Sequence, residues 1–565
     1  MILGVDFGTS HTVAASLEDG TYTVCRFTCN GESKEYIPSL IAVKDGSIKF
    51  GWDAVSCEND PNVYLMRSLK RMCGHCPPDL DVELAPDVHV TILELTALFL
   101  GHVKEMLKNN SSLSIDKDKP IEVMIATPAN ANTNQRYITM EAFKKAGFTV
   151  KGMLNEPTAT AIEFSHRYLK KPGNQGPVKN VVVYDLGGGT FDASVIGLDN
   201  NYYDVITHEG VAKLGGDDID TVILDLVLQR LNKQRKELSQ SDHIRLLEEC
   251  RKKKEGIDGF GGKLTIDVSH VFHEERHVQL DKKDIYNHCE PIIQQSLDTL
   301  NTAIKTFEMT ETDSKERRNL DAIYLTGGAV AFPLVTRRLH DQFGKKVRIS
   351  PYPEASTAIG LAISAGPALS GRLREAVTRN LGVWREYGTN KIFDTIIDKR
   401  SRLETQSGTL RIKRTYNPIH NLGHLRFIEC SSLGQSGEPS GDITDIKEIF
   451  FPYDPQLKDE ERLYQVPVMS RPDLSTQEVT ETYSYDSRGI ITLEIENLSA
   501  QYKKTYILSQ RYLPVEADED VLPQRHLPAG ASKGVPSQRH LPGEANRDVH
   551  PQRYLPTEAN RDVHK

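Results

Sequence analysis

Two segments of the chain share one pattern: an apolar β-like run, an aspartate, a glycine-rich turn with a threonine, and a second β-like run. They are ILGVDFGTSHTVAAS (2–16) and VVVYDLGGGTFDASVI (181–196). A supersecondary unit used twice predicts two similar lobes with a cleft between them. A third glycine turn, Gly327-Gly328, ends another apolar run. The duplication therefore limits the first part of the chain to a layered α/β fold.

Short apolar runs and amphipathic runs alternate through the first 369 residues. IEVMIATP (121–128), NVVVYDLG (180–187) and DAIYLTGG (321–328) are typical of buried strands. Residues 91–108, 217–234 and 282–305 carry apolar residues at helical spacing. This alternation predicts α/β architecture, and with the duplication it predicts a two-lobed domain over residues 1–369.

The pattern changes after a linker that we place at 370–380. Short alternating runs such as GTLRIKRTY, HLRFIEC and TETYSYDSRGIITLEIENL predict an antiparallel β domain over 381–509. The remainder, 510–565, is four tandem 14-residue units that begin at Gln510, Gln524, Gln538 and Gln552. Each unit has recurrent proline and too few apolar residues for a core, so we expect a disordered repeat tail.

Composition excludes several classes of protein. The net charge is −9 over 565 residues, which gives no sign of a nucleic-acid-binding protein. No apolar run approaches the roughly 18 residues of a membrane span. The sequence opens on a strand-like run without a secretory signal, so we expect a cytoplasmic protein with reduced cysteines.

Cys73-Gly74-His75-Cys76 has the spacing of a redox-active dithiol. Such a motif needs a helix that runs on from the second cysteine and lowers the pKa of the first. Pro77-Pro78 follows instead, and prolines here predict a loop. A zinc site would need a second pair, and Cys25 and Cys29 have unusual spacing for one. We expect cysteines without a redox or metal role.

The repeated turns have the chemistry of a phosphate site. Glycines let backbone N–H groups converge on an anion, and Thr9, Ser10 and Thr190 add hydroxyl donors. Asp6 and Asp185 stand at the strand ends, where they can hold the water shell of Mg²⁺. One Asp-Gly turn alone would be ordinary turn chemistry, whereas two in matching frames favour phosphate binding.

Eight segments resemble the DnaK-type seventy-kilodalton heat-shock chaperone family, within the actin and sugar-kinase fold superfamily. They are GVDFGTSHT (4–12), LKRMCG (69–74), IATPANANTNQR (125–136), NEPTATA (155–161), YDLGGGTFDASV (184–195), LGGDDID (214–220), LTGGAVAFP (325–333) and EASTAIGLA (354–362). The resemblance implies an actin-like ATPase domain followed by a β-rich substrate-binding domain. It implies ATP or ADP with Mg²⁺ as cofactors, and allows K⁺.

The resemblance also implies roles for matching positions. It makes Lys70, Glu156, Thr190 and Asp192 catalytic, and Asp6 and Asp185 holders of the water around Mg²⁺. The positions that it implies for nucleotide binding are Asp6, Gly8, Thr9, Ser10, Asp185, Gly187, Gly188, Gly189, Gly215, Gly216, Lys254, Gly327, Gly328 and Glu354. The implied partners are unfolded or extended polypeptides, a J-domain co-chaperone and a nucleotide exchange factor, with no nucleic acid and no membrane.

Three departures from the family pattern stand out. In the adenosine pocket only Lys254 matches, since Arg251 and Asp258 replace two family residues and Ala329 and Ala331 replace a serine and an arginine. The interdomain stretch SGRLREAVT (370–378) lacks the family's run of leucines. No helical lid follows the β domain. We expect intact phosphate chemistry, with adenine recognition and interdomain coupling in question.

Three functions are compatible with these observations. The first is an ATP-dependent chaperone that captures extended apolar polypeptide. The second is a nucleotide-binding regulator or scaffold with weak chaperone cycling, which the three departures favour. The third is a small-molecule kinase of the same fold, against which the NEPTATA and DLGGGTFD segments and the β domain argue.

Overall fold

The computed structural model divides the chain into two compact units. The first comprises Met1–Ala131 and Ile138–Ala376, and the second Asn132–Tyr137 and Val377–Lys565. The structure describes residues 2–18, 20–29, 31–58, 60, 62–116, 118–168, 180–199, 202–211, 213–272, 276–309, 319–366, 369, 377–387, 390–399, 401, 409–486, 489–509 and 554–555. Residues 370–376 of the predicted linker and nearly all of the predicted repeat tail lie outside these ranges.

The residues up to 366 form twenty strands and ten α-helices in the described part of the chain. The strands are β1 (Ile2–Phe7), β2 (His11–Glu18), β3 (Thr21–Val24), β4 (Phe27–Cys29), β5 (Glu32–Lys34), β6 (Ile37–Pro38), β7 (Leu40–Lys44), β8 (Ser47–Phe50), β9 (Tyr64–Arg67), β10 (Asp81–Ala85), β11 (Val88–Thr91), β12 (Glu122–Thr127), β13 (Thr149–Asn155), β14 (Asn180–Leu186), β15 (Phe191–Asp199), β16 (Tyr202–Val211), β17 (Lys263–Asp267), β18 (His277–Asp281), β19 (Ala322–Thr326) and β20 (Val347–Ile349). The helices are α1 (Gly51–Val55), α2 (Leu69–His75), α3 (Ile92–Asn109), α4 (Thr133–Lys145), α5 (Glu156–Tyr168), α6 (Gly216–Arg230), α7 (Gln240–Glu255), α8 (Lys282–Met309), α9 (Pro333–Phe343) and α10 (Ser356–Ser364). The mixed α/β class predicted from the sequence is confirmed.

Two sheets of the first unit have the same strand order. One runs β13-β12-β1-β2-β3 and the other β20-β19-β14-β15-β16. In each, an antiparallel hairpin (β1–β2 or β14–β15) is flanked by a strand parallel to its first member. The sequence repeat is thus a repeat of topology, and it puts the two glycine turns at equivalent places in the two sheets.

Local sequence accounts for the main elements. Strand β14 is almost wholly buried, as expected of a continuous apolar run. Helix α3 begins after Thr91, whose side chain accepts a hydrogen bond from the Glu94 N–H, and it buries Leu95, Phe99 and Val103 along one face. Helix α8 continues through Pro291. No helix of the described part is long and apolar enough to cross a membrane.

Helices α5 and α10 pack at unusually close range. A Cβ placed on Gly360 of α10 would lie 1.7 Å from the Ala159 carbonyl oxygen in α5. A Cβ on Gly4 of β1 would lie 2.1 Å from the Ala358 carbonyl oxygen. Since these obstacles are backbone atoms, no side-chain rotation can make room, and glycine fixes the approach of α10 to both β1 and α5.

The second unit contains two antiparallel sheets. Its strands are β21 (Asn380–Tyr387), β22 (Asn390–Ile397), β23 (Thr409–Pro418), β24 (Leu422–Leu433), β25 (Pro439–Pro452), β26 (Val479–Asp486), β27 (Ile491–Asn497), β28 (Tyr502–Ile507) and β29 (Tyr554–Leu555). The sheet orders are β22-β21-β24-β25 and β28-β27-β26-β23-β29. The alternating runs named above fall on these strands, whereas β25 was not anticipated.

A charged pair is buried within this unit. Arg385 Nη2 lies 2.6 Å from Glu481 Oε2, and the Glu481 side chain is 0% exposed. The hydroxyls of Tyr416 and Tyr483 also donate to Glu481, at 2.7 and 2.6 Å. The carboxylate is therefore satisfied by three donors, the condition under which a buried charge is tolerated.

The close α5–α10 packing gives a first prediction. Gly360→Ala should lower the free energy of unfolding by about 2 kcal/mol or more, because the Ala159 carbonyl must move. Gly101→Ala is the matched control, since Gly101 lies within α3 with nothing within 4 Å of its added Cβ. That change should instead stabilise by ~0.5–1 kcal/mol. Urea unfolding of both variants measures the difference, and equal effects would contradict the packing argument.

Candidate functional site

The two glycine turns close with the same hydrogen bond. Gly8 N–H donates to the His11 carbonyl at 3.0 Å, and Gly187 N–H donates to the Thr190 carbonyl at 3.0 Å. The turns also touch each other, because a Cβ on Gly188 would lie 2.2 Å from Ser10 Oγ. The structure thus brings Ser10 of the first turn next to Gly188 of the second.

Buried carboxyl groups lie below these turns. Burial raises the pKa of Asp6 to about 7, against the opposing charge of Lys70. Burial, together with Glu156 and Asp6, raises the pKa of Asp185 to about 7. Asp6 Oδ1 is buried and has no hydrogen-bond partner in the described residues. Among the described residues, the charge of Lys70 therefore compensates these two carboxyls only in part.

Lys70 is the cation of this cluster. Its Nζ lies 2.5 Å from Glu156 Oε1 and 3.9 Å from Asp6 Oδ1, and its side chain is 8% exposed. Burial opposes the charge of Lys70, but Glu156 and Asp6 outweigh it and the pKa of the lysine is raised. Glu156 is the first residue of α5, directly after β13. Two elements distant in sequence thus meet as an ion pair.

Asp192 stands opposite Asp185 in the β14–β15 ladder. Burial, followed by the charges of Glu156 and Asp185, raises the pKa of Asp192 well above its ordinary value. His208 Nε2 lies 3.4 Å from Asp192 Oδ1, and His208 Nδ1 is 2.9 Å from Ser194 Oγ. Sequence reasoning missed His208, whose only signal is its place on the strand next to β15.

Arg71 is a second residue that sequence reasoning missed. Its Nη2 donates to the Gly189 carbonyl oxygen, so it joins α2 to the second glycine turn. A Cβ on Gly189 would collide with this guanidinium. The signal was adjacency to Lys70 in LKRMCG, which does not by itself distinguish a site residue from a surface arginine.

Gly215 and Gly216 begin helix α6 against the second turn. Gly216 N–H donates to the Gly187 carbonyl at 3.0 Å, and a Cβ on Gly215 would lie 2.5 Å from the Gly188 carbonyl oxygen. Lys254 Nζ donates to the Gly216 carbonyl at 2.9 Å and lies 2.8 Å from Asp220 Oδ1. Lys254 is therefore engaged with α6 in this structure.

The substituted positions have different surroundings. Arg251 Nη2 lies 3.2 Å from Asp217 Oδ1. The Asp258 side chain is 100% exposed and accepts from Lys282. Ala329 is buried and Ala331 exposed, both in a 3-10 helix after β19. Arg251 is thus paired with helix α6 and Asp258 with helix α8, while alanines occupy the two positions after β19.

Gly327, Gly328 and Glu354 complete the predicted set. Gly327 has φ = +86°, and a Cβ there would lie 2.5 Å from Asp185 Oδ1. A Cβ on Gly328 would lie 3.0 Å from Glu354 Oε1. Glu354 Oε2 lies 3.9 Å from His11 Nδ1. The structure thus puts the third glycine turn beside Asp185 and the first hairpin.

The Cys73 thiol lies in a setting unlike a redox motif. Helix α2 contains Cys73 and ends at His75, so it does not run on from the second cysteine as a redox motif requires. Cys73 is buried, and burial raises the pKa of its thiol to about 11. Its Sγ lies 3.5 Å from the Leu69 carbonyl oxygen. The structure agrees with a structural cysteine next to Lys70.

The donor set fits a hydrated Mg²⁺. No cluster of three or more His, Cys, Asp or Glu residues suited to direct metal ligation occurs in the described ranges. Mg²⁺ commonly keeps several waters and binds through one or two carboxylates plus substrate phosphates. Asp6 and Asp185, with the unpartnered Asp6 Oδ1, match that requirement.

Comparison with known proteins decides the family. The model of the family described as Hsp70 protein matches residues 2–381. The chain belongs to the Hsp70 family. It is also similar to the protein named Chaperone protein DnaK from Mycoplasma mobile, with 29% identity over 387 residues. That match covers 66% of this chain and 59% of the relative, so the chain spans less than two-thirds of that Hsp70 protein's length.

The buried carboxyls give a pH prediction. An aspartate whose pKa is raised to about 7 binds more protons folded than unfolded between about pH 4 and 7, so it lowers stability as pH rises through that window. In EDTA without nucleotide, Asp185→Asn should raise the melting temperature at pH 8 by about 2–4 °C. The gain should vanish near pH 4.5.

Asp79→Asn is the control, because Asp79 is exposed in the loop after α2. It should leave the melting temperature unchanged at both pH values. A gain for Asp185→Asn of equal size at pH 4.5 and pH 8 would show that charge burial is not its cause.

Proposed function

We propose that this Hsp70-family protein is an ATP-binding and ATP-hydrolysing chaperone, acting in the cytoplasm, that captures unfolded polypeptide. The observation that carries the proposal is the convergence of two matched glycine turns on the cluster of Asp6, Asp185, Lys70 and Glu156. From the repeated strand order, we assign to the first unit the architecture of an actin-like, duplicated domain. J-domain co-chaperones and exchange factors are the partners that follow from this assignment.

The phosphate end of the site is built from backbone and small hydroxyls. Gly8 and Gly187–Gly189 offer N–H groups without a Cβ in the way, and Thr9, Ser10 and Thr190 offer hydroxyls. We assign Gly215, Gly216, Gly327 and Gly328 to the walls of the nucleotide cleft. Such a cradle suits a triphosphate held between the two lobes.

Hydrolysis in this proposal depends on positioning and charge. Bound Mg²⁺, held through water by Asp6 and Asp185, would neutralise charge on the phosphates. Lys70 lies where it can stabilise charge that develops on the transferred phosphoryl group, and Glu156 holds Lys70 and orients the attacking water. Asp192 and Thr190 are the further polar groups that we assign to the same water and phosphate.

A second candidate is a nucleotide-binding regulator or scaffold with weak chaperone cycling. It is favoured by the state of the adenosine positions: Lys254 is held by Asp220 and Gly216, and Ala331 leaves no side chain to stack on a base. Loss of base contacts would lower nucleotide affinity without altering the phosphate cradle. Glu354 would then be the remaining acidic group near the sugar and base.

Lys70 gives the sharpest mutational prediction. Lys70→Met should lower the rate of ATP hydrolysis at saturating ATP by at least ~100-fold, since one preorganised cation in such a site is worth that much. The affinity for ADP should change by only a few fold. Single-turnover hydrolysis and equilibrium ADP binding measure the two effects.

Removal of Lys70 leaves Glu156 buried beside Asp6, which can also unfold the chain. Lys70→Met with Glu156→Gln relieves that repulsion, so the double variant should regain stability but not hydrolysis. Lys252→Met, on the exposed face of α7, is the matched control. Unchanged turnover in a folded Lys70→Met protein would remove Lys70 from the site.

Equilibrium binding of ATP, ADP and GTP with Mg²⁺ to the full chain separates the two candidates. We expect nucleotide binding that needs Mg²⁺, and hydrolysis that rises with unfolded polypeptide but not with sugars or polyols. Binding indifferent to the base and unresponsive to polypeptide would favour the regulator. Stimulation by a sugar alone would instead support a kinase.

A further inference from the structure

A five-residue motif in the predicted tail has no role in the proposed function. Gln-Arg-Tyr/His-Leu-Pro occurs at 510–514, 524–528, 538–542 and 552–556, and only its third position varies. Across the nine residues that follow each copy, only an alanine and a valine are common to all four. Since the motif varies less than the sequence between its copies, it has the pattern of a segment that something recognises.

The structure pairs one copy of this motif with the β unit. Strand β29, Tyr554–Leu555, adds antiparallel to β23, with Leu555 opposite Asn417 and Tyr554 opposite Pro418. Strand β26 pairs with β23 only along Thr409–Tyr416. The sheet order puts β23 between β26 and β29, so β29 adds to the edge of β23 that β26 does not use, and a strand edge is a template for another strand.

Two prolines limit this pairing to a short stretch. Pro418 has no N–H to donate to the ladder, and Pro556 follows Leu555 directly in the motif. An added strand of two residues makes few backbone hydrogen bonds, so each copy binds weakly by itself. Attachment to the same chain compensates, because a tethered ligand acts at an effective concentration of order millimolar.

We propose that the repeated Gln-Arg-Tyr/His-Leu-Pro motif is an internal ligand of the β unit, added as a short strand to the edge of β23 at Asn417–Pro418. The occupant is this chain's own C-terminal segment, and several copies compete for one edge. A consequence, which rests on the proposed function, is that extended polypeptide must displace the tail before it can use this edge.

Chain length decides which copies can reach. Strand β28 ends at Ile507, at the far side of the sheet and at the opposite end from Pro418. Four strand spacings across and about seven residues along separate them, or about 30 Å. Tyr512 follows Ile507 by five residues, which span at most ~18 Å when extended. The first copy therefore falls short, whereas the three later copies have enough chain.

A disulfide cross-link in the full chain tests this geometry. Asn417→Cys combined with Leu555→Cys should form a bond in a glutathione buffer, since the two residues face each other in the ladder. Asn417→Cys with Leu513→Cys is the matched control and should give at least 10-fold less product. Mass spectrometry of the digested protein identifies which cysteines are joined, because the chain has eight others.

Two further experiments identify which segment occupies the edge of β23. Excess peptide QRYLPTEA should suppress the 417–555 bond, whereas a scrambled peptide should not. In a mixture of isotopically heavy and light protein, the bond should join chains of the same label. Equal cross-linking at 513 and 555, no bond at either, or bonds mainly between heavy and light chains would each overturn the proposal.

A separate measurement tests the consequence. Replacing the third and fourth motif residues of the three later copies by serine should tighten binding of a labelled unfolded polypeptide by at least 5-fold. A 417–555 bond without any polypeptide binding would refute the chaperone function and leave tail docking intact. Polypeptide binding without the bond would refute tail docking alone.

Discussion

The arrangement of buried negative charge is the constraint on which the nucleotide-site assignment depends. Asp6, Asp185, Asp192 and Glu156 are brought together with one lysine, Lys70, close enough to pair with two of them. A protein would not keep such a cluster for stability, since the desolvation of unpaired carboxylates is costly. The two sheets hold the carboxyls at their strand ends and so keep them desolvated. A bound cation with its phosphates would offset this cost in free energy.

Glycine is what allows the two sheets to come this close. A Cβ on Gly188 would meet Ser10 of the first turn. A Cβ on Gly215 would meet the backbone carbonyl oxygens of Gly187 and Gly188. At the rear of the same sheets, Gly4 and Gly360 let α10 lie against β1 and α5. Separate glycine contacts therefore set the packing of α10 in the core and the spacing of the two turns.

Local pattern was enough to predict β14, which is a continuous buried run, and α3 and α6, whose apolar residues recur at helical spacing. It failed at β25, because Ile443, Ile446 and Ile449 recur every third residue as in a helix. The register shift around Ile446 explains why Ile446 and Ile449 are both buried although they are three residues apart, since a bulge changes which side of the strand faces inward, whereas Ile443 is exposed. In the site, the duplicated turns were visible in the sequence. That Lys70 and Glu156 belong to one site was implied only by the family resemblance, and their ion pair was not predicted. Arg71 and His208 depend on tertiary contacts that no spacing encodes.

The two halves of the proposed nucleotide site differ in what their chemistry depends on. The phosphate half uses backbone groups of glycines and carboxyls at strand ends, which the sheets position whatever the neighbouring side chains are. The base half depends on Arg251 of α7, on Asp258 in the loop after α7, and on Ala329 and Ala331 in the turn after β19. Phosphate and metal binding can thus persist while base recognition changes. Affinity for the triphosphate and selectivity for adenine are therefore separable properties in this fold, and a chain that loses the second need not lose the first.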